Sequence, residues 1–380
     1  MSIQYANIHP ENISWARGRA QLNVAVLAKK LKITEKKLIS WETGEGRITF
    51  KQAKILADAL LIPFGYLFLE KLQNKALTIP DLRTIENQGL HKPSAELIRI
   101  VQIIQEQQSW YKDYLLRQGF DVSLKIKVFN ADSAAADIVA DMRALLSIGV
   151  EDRKGHWEDF IRLLIKKIED IGVLVVRQGD LGGTKHPLSV AEFRGFALFD
   201  PIAPFIFINQ ADAPSARLFT LIHELAHIWI GQSGVSDASI HADRKEEILC
   251  NAVAAEFLVP EDSFVQLWKN YDHWEDNLPD LKSYFHVSTW VLARRALTLN
   301  FINDANYNQY ISKLKEDYKN REKKKGGPTY YVTKKSQLSE HLSHAVVGEA
   351  LSGRMLLRDA GQLLGIKPHN IARFSEEFNA

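Results

Sequence analysis

The sequence predicts an α+β protein. An all-α N-terminal domain spans residues 1–72, a linker 73–92, a mixed domain with a small sheet 93–325, and a helical unit 326–380. Three observations carry that prediction. Short helical patterns separated by polar turns fill residues 12–70. Three apolar runs without helical period follow at 171–176, 193–199 and 204–209, each the length of a strand. A mostly apolar helix pattern then opens at Asp212 and Pro214, and it contains His223-Glu224-Leu225-Ala226-His227.

Composition bounds the function classes. The 380 residues suffice for two or three domains. At 46% hydrophobic and 25% charged, the chain has the make-up of a soluble globular protein. A formal net charge of +2 is too small to argue nucleic-acid binding by itself, so any such role must rest on local pattern. Cys250 is the single cysteine, which excludes an intrachain disulfide and fits a reducing compartment. Met1-Ser2-Ile3-Gln4-Tyr5 lacks the basic and apolar run of a signal peptide. No stretch approaches the roughly 18 apolar residues that cross a bilayer. The expectation is a cytoplasmic protein with no membrane partner.

Taken in order, each element has a local reason. Asn23 is placed to cap a helix over 24–31, and Thr34 a second over 35–42 that stops near Gly44. A third begins after Thr49 and carries Phe50, Ala53, Ile55, Leu56, Ala57 and Leu60. Pro63 starts a last short helix with Phe64, Leu67 and Phe68. The linker is polar, and Ile79-Pro80-Asp81-Leu82-Arg83-Thr84 reads as extended around its proline. Pro93-Ser94 opens a long helix that Gly119 ends. Helices over 132–146, capped near Asn130 or Asp132, and over 156–170 lead into the first strand. The strand at 204–209 directly precedes the His-bearing helix. As an edge strand it would pair with an extended substrate through its backbone; a plain structural strand is equally compatible. A loop rich in Gly, Ser and Asp spans 232–243, and a helix over 244–258 ends at Pro260. Arg294-Arg295 reads as a solvated face, with a hold on a peptide carboxylate as the alternative. A charge run over 313–325 meets Gly326-Gly327-Pro328, a boundary. Beyond it, Leu363-Leu364-Gly365-Ile366 has helix-turn-helix rhythm with little basic charge, so a lid or dimerisation piece is expected.

Leu27-Ala28-x-x-Leu31-x-Ile33, a turn, and a second helix with Leu38, Ile39 and Trp41 form a helix-turn-helix pattern. With Trp41-Glu42-x-Gly44 and Ile55-x-Ala57-x-x-Leu60, it resembles the XRE/Cro-like family. That resemblance implies a helix after the turn that enters the major groove of double-stranded DNA. Glu35, Lys36, Lys37 and Ser40 are its exposed candidates, while Lys29, Lys30, Lys32 and Arg47 are placed to meet phosphates. The family often holds a phosphate with a Gln where this chain has Val24. A motif kept for packing or protein contact is the alternative.

Residues four apart share a helix face, so His223 and His227 can aim two imidazoles at one ion. Glu224 projects beside them, where it can take a proton from a metal-bound water. Leu218, Leu221, Ile222, Leu225, Ile228 and Trp229 make this a buried helix, and polar groups in a buried helix need a reason. An accidental spacing of core histidines is the competing explanation. Glu246, Glu247 and Glu256 compete as a third ligand. Glu247 and Asn251 share a face at i, i+4, from which Glu256 is tilted away.

Arg217-x-Phe219-Thr220-Leu221-x-His223-Glu224-Leu225-Ala226-His227, with Glu247-x-x-x-Asn251-x-x-Ala254-Ala255-x-x-Leu258-x-Pro260, resembles the ImmA/IrrE family of metallopeptidases. The resemblance covers residues 12 to about 300, and more weakly the rest. It implies a zincin-like (gluzincin) fold with zinc held by His223, His227 and Glu247. Glu224 would be the general base and Asn251 would be hydrogen-bonded to a ligand histidine. The family commonly has Ala at Cys250 and Phe at Val253, and neither change removes a ligand. His241 is the nearest candidate in sequence for a second stabiliser of the oxyanion.

The expected function is therefore a DNA-binding regulatory zinc endopeptidase that cleaves a partner protein, such as a repressor or a toxin-like neighbour. The alternative is a non-catalytic transcriptional repressor or antitoxin-like binding module of a toxin–antitoxin or mobile-element locus, with zinc kept for structure. A homodimer fits either.

Overall fold

The computed structural model describes residues 4–70, 93–119, 126–149, 152–153, 157–181, 186–236, 245–319 and 335–379. It divides into two compact units, Met1–Ile103 and Ile104–Ala380. The described residues are mostly helical with two small sheets, an α+β chain. No helix among them is long and apolar enough to cross a membrane. The predicted linker, 73–92, lies outside the described residues.

In the first unit, β1 (Tyr5–Ala6), α1 (Pro10–Arg19), α2 (Val24–Leu31), α3 (Glu35–Glu42), β2 (Ile48–Thr49) and α4 (Phe50–Ala59) precede a 3-10 turn at Phe64–Phe68. Local chemistry sets the boundaries that the sequence predicts. Asn23 Oδ1 accepts from Val26 N at 2.8 Å and Thr34 Oγ1 from Lys37 N at 3.3 Å. Thr49 and Gln52 cap α4 reciprocally. After α3, Gly44 turns with φ +79°, where a side chain would be strained and would meet Pro10 Cγ at 3.2 Å. Leu27, Ala28, Leu38 and Trp41 share one core with Ile13, Ala53 and Leu56. Arg17 holds Glu42 through two bonds of 2.7 and 3.0 Å, tying α1 to α3. The pairing of β1 with β2, two residues each, is too short to leave a period in the sequence.

The helix α5 (Ala95–Gln118) crosses from the first unit into the second. There follow α6 (Ala135–Leu146), α7 (Trp157–Asp170), β3 (Leu174–Gln178), β4 (Gly195–Leu198), β5 (Phe205–Asn209), α8 (Pro214–Trp229), β6 (Gly234–Ser236) and α9 (Lys245–Leu258). The sheet order is β3-β5-β4-β6, with β3 parallel to β5 and the other pairs antiparallel. The strand before the His-bearing helix is thus interior, not an edge, and all its residues are buried. Its unbroken Phe205-Ile206-Phe207-Ile208 run suits a strand covered on both faces. Among the described residues the edges are β3 and β6, the latter inside the stretch expected to be loop. The cap expected near Asn130 or Asp132 also shifts. Asn130 Oδ1 accepts from Asp132 N in a turn, and α6 starts after Ala134 without a side-chain cap.

Helices α8, α9 and α6 stack in that order behind the sheet, sharing one core with α7 and with α10 (Glu261–Leu267), α11 (Leu278–Phe285), α12 (Thr289–Thr298) and α13 (Asp304–Lys319). The last three helices, α14 (Glu340–Leu351), α15 (Leu357–Leu364) and α16 (Ile371–Asn379), pack on one another. They are docked by specific bonds. Glu169 accepts from Glu340 N at 3.0 Å and from Val175 N at 3.2 Å, and Gln107 donates to the Leu363 carbonyl at 2.7 Å.

Candidate metal centre

Helix α8 is held at both ends. Pro214 occupies its first turn, where a missing N–H costs nothing, and Arg217 Nε donates to the Asp212 carbonyl at 2.9 Å. At the other end Trp229 Nε1 donates to Asp141 Oδ2 at 2.8 Å. Between them Leu218, Leu221, Ile222, Leu225 and Ile228 are buried, so the helix cannot rotate without exposing them. That orientation sends His223 and His227 to one face, with Nε2 atoms 3.2 Å apart.

Helix α9 faces them. Glu247 Oε2 lies 3.2 Å from His223 Nε2, and Oε1 lies 3.1 Å from His227 Nε2. One turn on, Asn251 Oδ1 is 3.1 Å from His223 Nδ1. Since that oxygen only accepts, the Nδ1 carries the proton and the Nε2 lone pair is left for an ion. The α8 side of the site is buried, with His223 4% exposed, His227 2% and Glu224 0%, while Glu247 is half-buried and Asn251 exposed, so the site opens on the α9 side.

The donor set fits zinc. Tetrahedral coordination with bonds of about 2.0–2.1 Å separates ligand atoms by about 3.3 Å, and the separations here are 3.1–3.2 Å. Two imidazoles and one carboxylate are also the ligand types zinc takes in open, catalytic sites. Burial works to raise the Glu247 carboxyl, but the facing His223 and His227 rings outweigh that and hold it well below the usual carboxylate range. Cys250, buried close by, is outside the cluster; burial pushes its thiol well up, leaving a small neutral hydrophobe.

The competing carboxylates are separated by structure. Glu256 binds Arg295 and accepts from Glu261 N at 3.3 Å, and Glu246 is outside the cluster. This also corrects the reading of Arg294-Arg295: Arg294 is exposed over the Tyr307 ring, but Arg295 is buried and paired. His241 lies outside the described residues. Of the N-terminal candidates, Lys36, Lys37 and Arg47 are exposed, whereas Ser40 is half-buried and donates to the Lys37 carbonyl at 2.8 Å. Lys37 also lies 5.7 Å from the Trp41 ring and Arg47 5.7 Å from the Tyr5 ring.

Three residues that support the site escape a reading by motif. Gly195 lets β4 touch α8: a Cβ there would stand 2.8 Å from Glu224 Oε1 and 2.7 Å from Thr220 Cγ2. Its signal was a glycine inside a strand pattern, which marks close approach. Arg153 donates to the carbonyls of Leu258 and, at 2.7 Å, Phe257, while Arg143 adds a 2.9 Å bond to Phe257. Two cations thus cap the C-terminus of α9, the helix that carries Glu247 and Asn251.

Similarity to known proteins agrees with this geometry where it exists. Residues 338–377, which cover α14 to α16, match a family described only as a domain of unknown function. No curated protein matches the chain. Residues 170–297 match the family model described as IrrE N-terminal-like domain. Over that segment, which holds His223, Glu224, His227, Glu247 and Asn251, the chain is similar to the domain of the ImmA/IrrE metallopeptidases.

Proposed function

We propose that this chain is a regulatory zinc endopeptidase that cleaves a partner protein such as a repressor or a toxin-like neighbour. The observation that carries this reading is the triangle of His223, His227 and Glu247 atoms, 3.1–3.2 Å on a side, with both histidines buried and next to a buried Glu224. A structural site has no use for that extra carboxylate. In this reading residues 93–325 form a zincin-like domain, with 326–380 as a helical unit packed on it. Bound zinc supplies Lewis acidity, acidifying water toward neutral pH and polarising a carbonyl oxygen. Glu224 takes the proton of the attacking water and passes it to the leaving nitrogen. Asn251 holds the His223 ring by its Nδ1–H, and Gly195 holds the Glu224 carboxylate between β4 and α8.

Wild type and Glu224→Gln, loaded with zinc, should be incubated with the proteins encoded beside this chain and the products read by mass spectrometry. The expected result is one partner cut by wild type alone, with equal zinc affinity in both proteins. If neither protein cuts any partner while repression or toxin neutralisation persists, the chain is a binding module instead.

The first unit extends the proposal to DNA. The capped pair α2 and α3 shares one core and leaves Lys36 and Lys37 in solvent, with Arg47 beyond, which supports a helix-turn-helix over residues 1–72 that binds double-stranded DNA. Full-length protein should bind a duplex from upstream of its own reading frame. Lys36→Ala with Lys37→Ala should lower the slope of log affinity against log salt by about one for each phosphate no longer neutralised. An unchanged slope and affinity would remove α3 from the interface.

A further inference from the structure

A cavity of about 210 Å³ opens in the second unit, away from the His223 and His227 face of α8. Three walls build it. Helix α7 gives Glu158, Ile161, Arg162 and Ile165, its i, i+3, i+4, i+7 stripe. The sheet gives Arg177 and Ile208, direct partners in the β3–β5 register. Helix α8 gives Arg217 and Leu221, one turn apart.

The lining is apolar below and charged above, where three arginines outnumber the carboxylate of Glu158. Ile161, Ile208 and Leu221 are buried. Arg162 is exposed and pairs with Asp159. Arg217 uses Nε on the Asp212 carbonyl, and no described residue accepts from its terminal nitrogens. Arg177 has no hydrogen-bond or ion-pair partner among the described residues, and burial lowers its pKa. The Arg177 guanidinium is half-buried, with nitrogens that open to solvent rather than to a protein acceptor, and a fork of N–H donors beside an apolar hollow is what an anionic head with a carbon body requires.

We propose that this cavity binds a small anion, a carboxylate or phosphate on a branched or aromatic carbon body, its head on Arg177 and Arg217 and its body on Ile161, Ile165, Ile208 and Leu221. The volume equals that of roughly seven waters at ~30 Å³ each, so the ligand is of the size of a short branched acid or an aryl phosphate. Binding needs neither zinc nor proteolysis, so the site stands or falls independently of the peptidase reading.

Calorimetric titration of the full chain with 4-methylpentanoate, phenyl phosphate and neutral 4-methylpentanamide tests it. At least one anion binds to saturation and the amide does not; the preferred anion identifies the head. Affinity falls about tenfold or more in Arg177→Gln and in Arg217→Gln, from the loss of a charge-assisted bond. It rises in Glu158→Gln, which removes a like charge from the rim. Failure of both anions to saturate, or binding indifferent to both arginines, overturns the proposal.

Discussion

Replacing Gly195 by alanine drives a methyl group into the contact between β4 and α8. The new Cβ would lie 2.7 Å from Thr220 Cγ2, 2.8 Å from Glu224 Oε1 and 2.8 Å from the Phe207 carbonyl oxygen. Carbon atoms in contact sit about 3.5–4.0 Å apart, so the overlap with Thr220 is at least about 0.8 Å. Retreat is blocked on each side. Gly195 is paired with Ile208 on one strand and Ser236 on the other, and Thr220 is tied to the Ala216 carbonyl at 3.1 Å. Overpacking of this kind costs about 1–3 kcal/mol. The stiffer unfolded chain returns about 0.4–1 kcal/mol. The net loss is about 1–2 kcal/mol, or about 2–8 °C in Tm for a unit of this size. Because Glu224 takes part of the displacement, cleavage should suffer beyond the loss of stability; a 1 Å misplacement costs on the order of 100-fold. Zinc affinity should stay near wild type, since no ligand atom is among the three nearest that the new Cβ would meet. Calorimetric melting with and without zinc checks this. A Tm within about 1 °C of wild type would refute the close approach on which the placement of Glu224 depends.

Three further outcomes follow from the same packing. Asn251→Ala should weaken zinc about 10–100-fold by freeing the His223 ring, while Asn251→Asp keeps the acceptor and stays within a few-fold; competition with a chromophoric chelator measures both. Arg153→Met should cost about 2–4 kcal/mol in urea unfolding, because the carbonyls of Phe257 and Leu258 lose charged donors in a buried place. Asp200 gives a pH dependence. Burial opposes its ionisation, but Lys112 at 2.6 Å and the N–H groups of Ile202 and Ala203 outweigh it and lower the carboxyl. A lowered carboxylate stabilises above its unfolded pKa and ceases to as pH falls through the folded value. Wild type should therefore lose more stability than Asp200→Asn below about pH 4; equal urea midpoint shifts between pH 6 and pH 3 would show the pair to be idle.

What the sequence makes legible here is what short-range chemistry decides. Caps at Asn23, Thr34 and Thr49 mark helix starts because each side chain bonds a backbone N–H within three residues. His223, His227, Glu247 and Asn251 could be brought together on paper because each pair is four apart on a helix, leaving only one contact, α8 against α9, to be supplied by the fold. Arg295 sits at the margin of legibility. Leu292 and Ala296 flank it on the buried stripe of α12, so its period places it inward, but its partner Glu256 is on another helix. Beyond that margin, the reason for a residue lies across the chain. Gly195 is glycine because of Glu224 and Phe207, and Arg153 is arginine because α9 ends 105 positions later. Arg177 looks like an ordinary outward residue of an edge strand until α7 and α8 close over it. The proton acceptor of the proposed site thus rests on a residue with no side chain at all. A motif records which groups do chemistry, whereas the atoms that hold them still are often chosen for what they leave out.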